Sequence, residues 1–169
     1  QQSSLPMVLI DRKIPEFACD VVGLDNTQAA PTATEHLIDQ GFDVEAAAAL
    51  WLVPLVLVAW ADGSLSDRER EAVLRAADQH GIPAGSKAHD RLSQWIDSNP
   101  SERLEALWLG FVQAACRSAA PADVARMRDG VLRLATDVAQ AAGGFLGLGS
   151  KVSSDEQVVL ERIAAAFAR

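Results

Sequence analysis

The chain has few of the residues that make disulfides or zinc sites. It contains two cysteines in 169 residues, Cys19 and Cys116, which lie far apart and outside any CxxC pair. The sequence therefore offers neither a disulfide framework nor a zinc knuckle. The three histidines, His36, His80 and His89, are scattered and lack the histidine or cysteine neighbours of a zinc site. Isolated thiols of this kind are typical of a cytoplasmic protein, which is the location we expect.

Positive charge is also scarce. Fifteen Lys and Arg residues face 23 Asp and Glu residues, and the net charge is −8. Nucleic-acid binding depends on basic residues that neutralise phosphates. The charge balance therefore argues against a nucleic-acid partner.

No apolar run is long enough to cross a membrane. An uncharged run extends over residues 46–61, but its sixteen residues fall short of the roughly 20 that a span requires. We predict a central core helix instead, apolar on all faces and kinked at Pro54. The first residues of the sequence lack the basic and apolar segments of a signal peptide, so no signal peptide is predicted there.

Catalytic motifs are absent as well. The segment Gly144–Lys151 has the glycines of a P-loop, but its Lys and Ser stand in the wrong order and no strand precedes it. No strand–turn–helix nucleophile elbow is visible. We predict that the protein is not an enzyme and has no catalytic residues.

Helical periodicity covers most of the chain. Apolar residues recur at the 3–4 spacing after Ser66, Ser86, Ser101, Pro121 and Ser153, and no segment has the alternation of a strand. The clearest series is Leu104, Leu107, Trp108, Phe111, Val112 and Ala115. A further short helix is predicted from Thr32 or Thr34 to Gln40. We expect a single all-α domain of about seven helices over residues 32–169, after an irregular extension over residues 1–31.

The joint between the core helix and the next helix is acidic. Ser66 and Glu69 have the spacing of a capping box, and Ser153 and Glu156 repeat it. Gly63 can take the left-handed conformation that closes the preceding helix. Asp62 would then lie in the last turn of that helix, where the dipole disfavours a carboxylate.

Two interpretations of Asp62 remain open. In the structural one, its carboxylate accepts backbone amides of the turn, while Ser66 and Glu69 cap the next helix. In the functional one, oxygens of Asp62, Ser64 or Ser66, Asp67 and Glu69 gather around a divalent cation. His80 is predicted to lie near the C-terminus of the helix that follows Ser66. The dipole of that helix end would favour the charged imidazole.

The segment A-D-G-x-L-S-x-x-E-R-E at Ala61–Glu71, followed by an apolar-spaced helix and G-I-P, resembles the bacterial TerB-like family associated with tellurite resistance. The resemblance extends over residues 44–83. The segment K-V-S-S-D-E-Q-V-V-L-E-R-I at Lys151–Ile163 is similar to the family's second acidic segment. A weak internal pseudo-repeat would relate the two.

The resemblance implies an all-helical domain whose acidic residues hold a metal, here Asp62, Glu69 and Glu156. At the second joint Gly149 and Ser150 replace the Asp-Gly pair, which removes one carboxylate. The expected function is a non-catalytic, stress-associated binding or scaffold domain, with a divalent cation as candidate ligand. One alternative is a protein-interaction module of co-chaperone type without metal, for which we expect an exposed apolar patch or a groove rimmed by charge. Another is a metal-dependent enzyme.

Overall fold

The computed structural model describes residues 48–142 and 152–168. Within these two segments the chain forms six α-helices and one 3-10 helix and no strand, so the predicted all-α fold is confirmed. The irregular extension, the short helix ending at Gln40 and the domain boundary near residue 31 are predictions that lie outside the described residues. The elements are a 3-10 helix Ala48–Leu52, α1 Val53–Ala59, α2 Asp67–Gln79, α3 Lys87–Ile96, α4 Glu102–Ser118, α5 Pro121–Ala142 and α6 Ser154–Ala166.

The apolar run of residues 46–61 is not one kinked helix. A 3-10 helix ends at Leu52 and α1 begins at Val53, so Pro54 lies in the first turn of α1. In this position the missing N–H of proline has no intrahelical partner to lose. The prediction of a kink at Pro54 is therefore wrong, because the proline helps to begin an α-helix.

Helix α1 is the centre of the fold. Among its seven residues only Leu57 is not fully buried, and α1 contacts each of the other five helices. A helix that is apolar on all faces is stable only when other helices surround it. The predicted core position of this run is confirmed.

The surrounding helices bury the faces that their periodicity predicts. On α4 the side chains of Trp108, Phe111 and Val112 are buried, and the ring of Phe111 packs edge-on against Trp51 with centroids 4.8 Å apart. Cys116 is buried in the same core, as expected for a small apolar side chain. The N-terminal serines predicted to begin α2, α3, α4 and α6 all occupy the N-cap position.

None of the helices in the described segments has the length and hydrophobicity needed to cross a membrane. The run around α1 is instead enclosed by protein.

His80 is the C-cap residue of α2, and its backbone N–H donates to the carbonyls of Ala76 and Ala77. Burial lowers the pKa of its imidazole below the ordinary value of 6.5, and the guanidinium of Arg133 on α5 lowers it further. The sequence-based expectation was the opposite, because it considered only the helix dipole. Partial burial and a cation on a neighbouring helix outweigh that dipole, and they favour the neutral imidazole.

We predict that His80 makes the protein less stable in mild acid. Since the folded-state pKa lies below that of the unfolded chain, the stabilisation is present above about pH 6.5 and is lost as the pH falls through the folded-state pKa. The measurement is urea denaturation between pH 8 and pH 5 of the wild type and of His80→Gln. The variant should lose part of the decline in unfolding free energy, and Arg133→Gln should lose a smaller part. An identical decline in all three proteins would contradict the prediction.

Candidate functional site

The acidic joint begins where α1 ends. Trp60 is the C-cap of α1, and Gly63 closes the following turn by donating its N–H to the carbonyl of Trp60 at 2.9 Å. Gly63 has a φ of +84°, the left-handed conformation predicted for it. Since α1 ends at Ala59, Asp62 lies in the turn beyond the helix and not in its last turn. The expected conflict between Asp62 and the helix dipole is thereby reduced.

The carboxylate of Asp62 bonds within its own turn. Its Oδ1 accepts the backbone N–H of Ser64 and the Oγ hydroxyl of Ser64, both at 2.9 Å. A carboxylate that binds the backbone N–H two residues later forms an Asx turn. These hydrogen bonds are those that the structural interpretation predicts, and the Asp62 side chain is exposed to solvent.

Both predicted capping boxes are present. At the start of α2 the N–H of Glu69 donates to Ser66 Oγ at 3.3 Å, and the N–H of Ser66 donates to Glu69 Oε2 at 2.8 Å. At the start of α6 the N–H of Glu156 donates to Ser153 Oγ at 3.2 Å, and the N–H of Ser153 donates to Glu156 Oε2 at 2.5 Å. The repeated sequence pattern therefore corresponds to repeated local geometry.

The two capping glutamates are buried. Glu69 is 6% exposed and Glu156 is 7% exposed, and they are the buried charged side chains of the described segments. Each carboxylate has a backbone N–H partner and lies at the positive end of a helix dipole. These interactions account for two buried carboxylates without any bound ion.

The three predicted metal ligands do not form one cluster. Asp62, Glu69 and Glu156 all lie in the described segments, and there no group of three or more His, Cys, Asp or Glu side chains is arranged to hold a metal ion. Each of the three carboxylates instead accepts hydrogen bonds from its own turn. Metal binding at these residues thus remains a prediction from the sequence.

A cleft lies beside the joint, where the end of α1 meets the start of α4 and the middle of α6. It encloses about 170 Å³. We call it the Trp108 cleft. Its apolar walls are formed mainly by Leu57, Trp60, Trp108, Val159 and Ile163, and its polar residues are Asn99, Glu105 and Arg162.

The polar edge of the Trp108 cleft contains an ion pair. Arg162 Nη2 of α6 donates to Glu105 Oε1 of α4, with side chains that are 56% and 24% exposed. Such a partly exposed pair contributes little to stability. It nevertheless places opposite charges beside an apolar wall, which is the arrangement expected at the edge of a binding groove.

The two tryptophans of the cleft differ in hydrogen bonding. Trp60 Nε1 donates to the carbonyl of Ile96 at 3.1 Å and so joins the ends of α1 and α3. The indole of Trp108 is 1% exposed, and its Nε1 has no hydrogen-bond partner among the described residues. The rings of Trp108 and Phe167 pack in a T-shaped arrangement, with centroids 6.3 Å apart.

No sequence pattern predicted this cleft. Glu105 and Arg162 are 57 positions apart, and no local pattern indicates that they meet. The available signal was Trp60 itself, a large aromatic residue at the end of the core helix.

Comparison with known proteins gives short similarities. The chain is 51% identical over 41 residues to the HTH-type transcriptional regulator PtxS of Pseudomonas putida. The aligned segment covers 24% of this chain and 12% of the regulator. It is 53% identical over 38 residues to PtxS of Pseudomonas aeruginosa, covering 22% and 11%. It is 40% identical over 74 residues to PtxS of Pseudomonas plecoglossicida, covering 43% and 19%.

The chain thus spans less than a fifth of the length of these relatives. No family model matches the chain. No solved structure matches it either.

We predict that the joint residues act as helix caps. Ser66→Ala and Ser153→Ala should each lower the free energy of unfolding by about 1 kcal/mol, because each leaves a backbone N–H without its hydroxyl partner. Asp62→Asn should change it by less than about 0.5 kcal/mol, since an amide oxygen can still accept from Ser64. The measurement is urea denaturation at pH 7.

The matched control is Ser154→Ala, one position after the second cap, on an exposed side chain. It should change stability by less than about 0.5 kcal/mol. Equal losses at Ser153 and Ser154 would show that the loss of a hydroxyl at the N-cap is not the cause.

Proposed function

We propose that this chain is a TerB-like, non-catalytic binding domain of the stress-associated, tellurite-resistance type, and that it acts by holding a protein partner. The observation that carries the proposal is the Trp108 cleft, which has apolar side chains in its walls and the Glu105–Arg162 ion pair at its edge. A groove of this kind is what an interaction module requires.

The surface beside the cleft supports the same function. Val158 is 55% exposed. Among the large apolar side chains of the described residues, it is the one that is exposed to solvent. It stands one turn before Arg162 on α6, so the two side chains share a face. Val159, the next residue, lines the cleft. A partner on this face of α6 would cover Val158 and the edge of the cleft together.

Charge favours a basic partner. The chain has a net charge of −8, and α6 has exposed carboxylates at Asp155 and Glu161. Complementary charge speeds association and selects among partners. We therefore propose a basic protein segment that places an apolar side chain against α6.

The names of the matching proteins state transcriptional regulation, which we do not propose for this chain. The similarity covers too little of those regulators for their activity to be transferred. The excess of acidic residues also opposes the phosphate contacts on which DNA binding depends.

Cation binding is the other form of the proposed function. It would use Asp62, Glu69 and Glu156, the residues that the family resemblance implies. The geometry supports it less well than a protein partner, because these side chains are not grouped and each accepts local hydrogen bonds. A cation at any one of them would compete with a cap or a turn.

We predict that a photo-crosslinking residue at Val158 captures a defined protein partner in cells of the source organism. Glu161→Lys should reduce the yield at least severalfold, because it replaces an exposed carboxylate of α6 by a cation that repels a basic partner. The measurement is the mass and yield of the crosslinked species.

The matched control places the same crosslinker at Gln94, an exposed position on α3. The captured species should be absent there. Equal capture at Val158 and Gln94, no capture at either, or capture that Glu161→Lys does not change would contradict an interaction through this face.

The cation form is tested separately by calorimetric titration of the metal-stripped protein with calcium, magnesium, manganese and zinc. Because the carboxylates are used locally, we expect no saturable heat and no rise in melting temperature at millimolar ion. Heat that is present in the wild type and lost in Asp62→Asn would contradict this expectation and establish a metal site at the joint. Ser154→Ala is the control for the variant.

A further inference from the structure

Within the described part of the chain, the indole N–H of Trp108 is a buried donor without a hydrogen-bond partner. Its Nε1 has no hydrogen bond within the described part of the chain, although Trp108 is 1% exposed. Buried donors are nearly always hydrogen-bonded, and an exception calls for an explanation. Trp60 lines the same cleft and follows the rule, since its N–H is bound to Ile96.

The Trp108 cleft is large enough for a small molecule. Its volume of about 170 Å³ is close to the roughly 150 Å³ of an apolar protein cavity that binds benzene. A ligand of about six to eight non-hydrogen atoms would therefore fill it. Ile163 and Trp108 form a buried floor, and Asn99 and Arg162 are exposed at the edge, which gives a route of entry.

The charges at the edge select against an anion. Arg162 is already paired with Glu105, so its charge is compensated. A carboxylate ligand would meet the carboxylate of Glu105 and a chain with a net charge of −8. A neutral acceptor, such as a carbonyl oxygen, suits the neutral indole donor.

One wall of the cleft must move to admit such an oxygen. Trp108 Nε1 is buried. Glu105 precedes Trp108 by three positions on α4, so the two side chains are neighbours on one face. The Glu105–Arg162 pair is partly exposed, and such pairs contribute little to stability, so a shift of this pair costs little free energy.

From these observations we propose that the Trp108 cleft binds a small neutral ligand with a compact apolar body and a carbonyl oxygen, which accepts a hydrogen bond from Trp108 Nε1. The Glu105–Arg162 pair shifts to admit it. This site shares the Trp108 cleft with the proposed protein partner, but the ligand fills the floor of the cleft, whereas the partner contacts its edge and the outer face of α6.

The test follows the indole N–H signals of the ¹⁵N-labelled chain in NMR spectra. The probes are cyclohexanone and methylcyclohexane, which have the same number of non-hydrogen atoms and similar shape but differ in the carbonyl. Cyclohexanone should shift the Trp108 signal in a saturable way and bind about two- to tenfold more tightly than methylcyclohexane, the range for one neutral hydrogen bond. Trp108→Phe assigns the signal and should remove the difference between the probes.

The comparison of the two probes in the wild type does not require Trp108→Phe to fold. Glu105→Gln is a second variant, and it should bind cyclohexanone at least as tightly as the wild type, because it weakens the pair that closes the cleft. Equal affinity for both probes, an unmoved Trp108 signal, or weaker binding by Glu105→Gln would overturn the proposal. A water contact to the Trp108 indole N–H that cyclohexanone does not displace would also overturn it.

Discussion

The fold depends on the burial of one short helix. Helix α1 has seven residues and contacts all five other helices, so its apolar surface determines where each of them packs. Its ends are constrained as well. Pro54 lies in its first turn, and Trp60 at its end donates to the carbonyl of Ile96 at the end of α3. The acidic joint and the Trp108 cleft both begin at this end of α1, because the chain must leave the core there.

The acidic residues of the joints follow from helix ends. A helix that begins at the edge of a packed core has backbone N–H groups that must be satisfied locally. Ser66 with Glu69, and Ser153 with Glu156, supply these acceptors, and the helix dipole favours the carboxylates. Both glutamates are buried, and each carboxylate accepts the backbone N–H of its capping serine. A set of carboxylates that resembles a metal site in sequence can thus be required by architecture.

The sequence allowed the helices and caps to be predicted because both depend on nearby residues. Periodicity located α4, and N-cap serines located the starts of α2 and α6. Interactions between distant residues had no such signal. The pair of Glu105 with Arg162, the cation beside His80 and the partner of Trp60 all join different helices. The helix dipole alone predicted the wrong direction for the pKa shift of His80, because burial lowers that pKa. The kink predicted at Pro54 was wrong because an apolar run does not indicate where a 3-10 helix ends and an α-helix begins.

The two tryptophans of the cleft differ in whether the fold provides a hydrogen-bond acceptor for the indole N–H. The N–H of Trp60 satisfies a carbonyl at the end of α3, so this side chain is explained by structure alone. The N–H of Trp108 satisfies nothing among the described residues, although the ring fills the core beside Phe167. A phenylalanine would serve the packing without a buried donor that lacks a partner. The joint carboxylates have structural tasks that account for them, and the Trp108 donor does not. The cleft therefore has the stronger physical basis for binding.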